Sequence, residues 1–142
     1  MNDVIVKSVT RAIIPFVQLY GIYTVLFGHV SPGGGFAGGA MIGTSLILYT
    51  LVFGSVMAKQ KFSHQASELA ETGGILIYVG VGLVALLVGL PYLSNLAAGF
   101  LPGVPGTLLS AGMIPILMIA IGVKVASTMI TLFYKLIAEV KA

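Results

Sequence analysis

The stretch from Phe36 to Val56 carries no charged side chain. It is long enough to cross a bilayer as a helix, which takes about 20 apolar residues. Three similar stretches accompany it. The sequence predicts spanning helices over about 12–27, 36–56, 73–90 and 113–137. Val4, Ile5, Val6 and Val9 can lengthen the first at its N-terminal side, and Ser67 to Glu71 can begin the third early. Lys124 interrupts the fourth, and Lys135 lies near its end. Composition agrees, with 58% hydrophobic and 8% charged residues, against roughly 25% charged in a soluble domain. Seven Lys/Arg and four Asp/Glu are too few to coat a water-soluble protein of 142 residues. The expected fold is all-α, one transmembrane domain over 1–142 with four helices.

Lys7 and Arg11 before an apolar run also fit the start of a signal peptide. No small-residue cleavage site follows at Gly28-His29-Val30-Ser31-Pro32, and three more apolar segments do. The run is therefore read as the first helix.

Basic residues set the expected orientation. Lys7 and Arg11 precede the first helix, Lys59 and Lys61 lie between the second and third, and Lys135 and Lys141 close the fourth. The connections 28–35 and 91–112 contain no Lys or Arg. The positive-inside rule then places both termini in the cytoplasm. Met57 to Thr72 reads as a polar cytoplasmic loop, with His64 solvated in it. The external segment 91–112 holds Pro91, Pro102, Pro105 and four glycines without a charge. It is too broken to span. Such an apolar connector belongs in the interface or against protein rather than in open water.

Several chemistries are excluded. Without Cys the chain has no disulfide, thiol catalysis or iron–sulfur ligation of its own. Two His and four acids are too few for a dedicated metal site, and neither a metal nor another cofactor is expected. No catalytic triad or phosphate loop is visible, and no basic, aromatic surface suits nucleic acid. No internal repeat points to inverted transporter halves.

Two features can carry function. In Ser31-Pro32-Gly33-Gly34-Gly35-Phe36-Ala37-Gly38-Gly39, the glycines open backbone conformations closed to other residues. Gly35, Gly39 and Gly43 then recur every four residues, a small-residue stripe where another helix can approach closely. The plain reading is a hairpin and a packing seam. The functional reading gives this loop, or His29 beside it, the border of an ion path. The second feature is Lys124, near the middle of a ~30 Å hydrocarbon core, where a Lys costs at least ~2.5–3.5 kcal/mol. Asp3, Glu68, Glu71 and Glu139 are expected near or beyond the cytoplasmic boundary. The partner of Lys124 is then water, backbone, or a carboxylate of another chain. Either its stem snorkels to the interface or it faces a hydrated network that Ser127, Thr128 and Thr131 can continue.

The string Gly28-His29, Ser31-Pro32-Gly33-Gly34-Gly35-Phe36 and Gly38-Gly39, with Gly122-Val123-Lys124 in the last helix, resembles the MrpB (MnhB) family. These are small subunits of multisubunit Mrp-type Na+/H+ antiporters of bacteria and archaea. The resemblance covers essentially the whole chain. It implies a multi-pass protein of a prokaryotic cell membrane, beside other small membrane subunits and large antiporter-like subunits related to those of respiratory complex I. Na+ and H+ would be the ions moved by the complex. The same module occurs in membrane-bound hydrogenases and sulfur reductases, so three roles stay open: an antiporter subunit, an ion-translocating module of a redox complex, or a purely structural subunit.

Overall fold

The computed structural model describes residues 4–54, 64–95, 103–104 and 106–140. Four helices account for most of them: α1 Val4–Phe27, α2 Gly35–Phe53, α3 His64–Leu87 and α4 Ile114–Val140. All four are long and apolar enough to cross a membrane. This is an all-α, multi-pass membrane protein, with no strand among the described residues.

Several helix limits differ from the sequence expectation: α3 ends at Leu87 rather than 90 and α4 at Val140 rather than 137, and three others have a visible reason. α1 starts at Val4, because the apolar residues before Arg11 continue the helix. α2 stops at Phe53, where Gly54 takes φ 92 and returns its N–H to Thr50 O. α3 starts at His64, so residues 64–72 are helix rather than loop. No Gly or Pro stands between His64 and Thr72 to stop the helix extending. Asp3, Lys59, Lys61, Lys141 and the His64 side chain lie outside the described residues.

The contacts fix the helix directions. Gly21 faces Ile42 and Val25 faces Gly38, so α1 and α2 are antiparallel. Gly35, Gly39 and Gly43 meet Met118, Gly122 and Ala126 in ascending order, so α2 and α4 run parallel. Ser67 meets Thr131 and Gly74 meets Lys124, so α3 and α4 are antiparallel. The four helices therefore alternate in direction. Lys7, Arg11 and Lys135 come out at the same end, where Arg11 also stands over the Phe53 ring at 5.6 Å.

α4 is the hub. It packs against α2 on one side and α3 on the other, and touches α1 where Val25 meets Gly122. α3 packs chiefly against α4. An apolar cavity of about 320 Å³ opens between the α1–α2 pair and α3, lined by Val25, Ile42, Ala70, Ile119, Val123 and Ala126 among others.

Glycine makes the α2–α4 seam. A Cβ at Gly39 would lie 2.5 Å from Gly122 O and 3.0 Å from Gly122 Cα, and one at Gly35 would collide with Met118 O. Gly38, on another side of α2, leaves room for Gly21 O and Val25 of α1. Without a hydrophobic drive between helices in lipid, close approach and van der Waals contact hold them together.

Candidate functional site

The charged residues inside the bundle meet in the α3–α4 seam. Lys124 lies about 15 Å along α4 from Ile114, and Glu71 about 10 Å along α3 from His64, at ~1.5 Å per residue. Because the helices are antiparallel, the two side chains come together. Lys124 Nζ is 3.8 Å from Glu71 Oε1. Thr128 joins them: its hydroxyl donates to Glu71 Oε1 at 3.0 Å and accepts from Lys124 Nζ at 3.5 Å.

This corrects the expectation that Lys124 lacks an acid in its own chain. The error came from the start of α3. With helix from His64, Glu71 sits two turns inside it instead of in a loop or in the first turn of a helix begun at Ser67. Gly74 then lets α3 close on α4, since a Cβ there would lie 2.7 Å from Ala120 O and 3.0 Å from Lys124 Cβ. The missed signal was the unbroken helical stretch before Gly73.

A polar ladder continues along the seam toward the basic end. The Ser67 hydroxyl is 3.0 Å from Thr131 Oγ1 and 3.3 Å from Ser127 O. Ser67 and Ser127 are buried. The structure thus brings Lys124, Ser127, Thr128 and Thr131 together with Ser67 and Glu71, neither of which the sequence singled out as a site residue. Lys124 bends toward Thr128 and a same-chain carboxylate.

His29 stands elsewhere. It belongs to the turn layer beyond Phe27, well short of the depth of Lys124. A carbonyl oxygen only accepts, so His29 Nε2 donates to Thr107 O at 3.0 Å. His29 Nδ1 is buried without a hydrogen-bond partner among the described residues. His29 therefore ties the α1–α2 turn to the connector before α4. Ser31 closes the same turn, donating both its N–H and its hydroxyl to Phe27 O. Pro32 and Gly33 are exposed and lead to Gly34, which caps α2. Gly33 and Gly34 have φ 129 and 138, values that favour glycine. Phe36 points out of the bundle, 71% exposed. Gly35, Gly39 and Gly43 line α4, and Gly38 lines α1.

The connector folds back on the protein where it is described. Tyr92 covers Gly82 of α3. Asn95 Nδ2 donates to Ala111 O, and Asn95 Oδ1 accepts from Met113 N, just ahead of α4. Residues 96–102 and 105 lie outside the described residues. Among the described residues, no group of three or more His, Cys, Asp or Glu gathers as metal ligands would.

Four spanning helices, a glycine seam between α2 and α4, and an ion pair between α3 and α4 define a small multi-pass membrane protein. The family described as "Domain related to MnhB subunit of Na+/H+ antiporter" matches residues 5–131, and this chain belongs to it. An uncharacterized protein of Methanocaldococcus jannaschii is 40% identical over 122 residues, 84% of this chain and 46% of that protein. A Na(+)/H(+) antiporter subunit of Alkalihalophilus pseudofirmus is 34% identical over 94 residues, 66% of this chain and 65% of that protein. A chain of the membrane-bound sulfane sulfur reductase, an archaeal respiratory membrane complex, superimposes with a TM-score of 0.74 at 32% identity. The match covers 91% of this chain and 55% of that one. This chain thus spans about half the length of the first and last of these.

Proposed function

We propose that this chain is an MnhB-like subunit of a multisubunit monovalent cation/proton antiporter in a prokaryotic cell membrane, with both termini in the cytoplasm. It helps assemble the complex and borders its sodium or proton path. The observation that carries the path is the Lys124–Thr128–Glu71 group. Ionisable residues within spanning helices are costly and mark ion pathways or proton relays. A cation, a hydroxyl and a carboxylate in series can take up, pass or repel a charge moving along the seam. The basic end of the bundle supports the orientation. The chain acts as a transporter subunit and carries no chemistry of its own.

A second reading is favoured by one observation, the likeness to a sulfane sulfur reductase chain. There the same subunit would serve the ion-translocating module of a redox-driven complex. The seam glycines would serve a purely structural role equally well.

The test is Lys124→Ala in the intact complex. Na+/H+ exchange in everted vesicles is expected to fall severalfold while the complex assembles normally. Wild-type exchange in an intact complex would leave only the structural role.

A further inference from the structure

The Lys124–Glu71 pair is not sealed inside the chain. Its side chains are 37% and 30% exposed, beside exposed apolar residues of both helices, Ile75 on α3 and Val123 on α4. Acyl chains do not solvate a charged pair, and ionisable residues in spanning helices face protein or water-filled cavities.

Its hydrogen-bonding capacity is also unspent. A lysine ammonium has three donors and a carboxylate roughly four acceptor sites. Among the described residues, Lys124 donates one long bond and Glu71 accepts one, both through Thr128. At 3.8 Å the pair itself is beyond hydrogen-bond length.

The exposure belongs to one flank. At ~100° per residue, Lys124 and Thr128 turn to one side of the α4 face that meets α3. The residues lining the apolar cavity, Ile119, Val123 and Ala126, turn to the other. On α3, Ile75 lies one turn from Glu71 on the polar flank and is 46% exposed.

We infer that this flank of α3 and α4 is the surface by which the chain joins a partner membrane subunit, and that the partner presents a hydrated face with polar or ionisable side chains at the depth of Lys124. The inference rests on the multisubunit reading above. The polar flank meets that partner and the outer face of α1 meets lipid, where Leu19 is 67% exposed.

The experiment places the photocrosslinker benzoylphenylalanine at Ile75, and in a separate variant at Leu19, in the assembled complex. Ile75 is expected to yield a covalent adduct with another subunit, on a membrane helix with a polar or ionisable residue within one turn of the crosslink. Leu19 is expected to yield mainly lipid adducts. Lipid adducts alone at Ile75, or a crosslink to a wholly apolar helix, overturn the inference. As a second measurement, the double variant Glu71→Leu, Lys124→Leu is expected to reach the membrane at wild-type level and to co-purify with the complex severalfold less. Undiminished co-purification overturns the inference. The two proposals fail separately. A protein crosslink at Ile75 with wild-type exchange in Lys124→Ala keeps the interface and removes the path. Lost exchange with lipid adducts alone at Ile75 does the reverse.

Discussion

The Thr128 hydroxyl sits between Lys124 and Glu71, donating to Glu71 Oε1 at 3.0 Å while accepting from Lys124 Nζ at 3.5 Å. Thr128→Val keeps the shape and removes the bridge. Unfolding in mixed detergent is expected to show a loss of about 0.6 kcal/mol, and at most about 1.7, the range of side-chain hydrogen bonds between membrane helices. Thr128→Ser keeps the hydroxyl and should stay close to wild type. If Thr128→Val matches Thr128→Ser, the bridge holds nothing.

Glycines on different helices should answer differently to the same change. Gly39→Ala puts a methyl into the Gly122 backbone, and overpacking of this kind costs about 1–3 kcal/mol. Gly39→Leu should abolish recovery of the assembled complex. Gly73, on α3, has nothing within 4 Å of where its Cβ would stand. Gly73→Ala should raise stability by roughly 0.5–1 kcal/mol, the helix cost of glycine relative to alanine. The same detergent unfolding reads both, and equal effects would contradict the seam.

That contrast shows what the sequence made legible. Four helices followed from apolar length alone, and a close-approach stripe followed from Gly35, Gly39 and Gly43. Which helix meets the stripe did not, because Gly122 carries no pattern by itself and looks like any glycine in a long apolar run. Glu71 was misplaced for a definite reason. Hydropathy marks where a helix is apolar, not where it begins: the polar turns from His64 to Thr72 read as loop with an optional early start at Ser67, which leaves Glu71 near the helix end, whereas α3 begins at His64. Asn95 was invisible because its partners, Ala111 O and Met113 N, are backbone atoms.

The His29 tether to Thr107 predicts a local effect. His29→Ala removes the donor to Thr107 O, and one such bond contributes about 0.5–1.5 kcal/mol. Hydrogen exchange in residues 106–112 is expected to speed up by as much as about tenfold, with exchange in α1 and α4 unchanged. Equal protection in wild type and variant would show that His29 does not hold the connector.

Asn95 holds the approach to α4 from a distance, taking the Met113 N–H. Asn95→Ala leaves that donor open and should cost about 1 kcal/mol, the usual effect of losing a helix cap. Asn95→Asp keeps the acceptor but loses the bond to Ala111 O, so it should fall between the two. Thermal unfolding in detergent checks the order, and an Ala variant as stable as wild type would contradict it.

The dependence of α3 on α4 sets a problem of timing. Ribosomes deliver α3 first, so Glu71 reaches the bilayer before Lys124 and Thr128 have been made. For that interval the helix has neither its packing surface nor its counter-charge. α1 and α2, by contrast, complete their hairpin as soon as both are synthesised. The order of synthesis therefore predicts two phases of biogenesis: an early α1–α2 hairpin, then a third helix that gains its main packing surface within the chain when the last segment arrives.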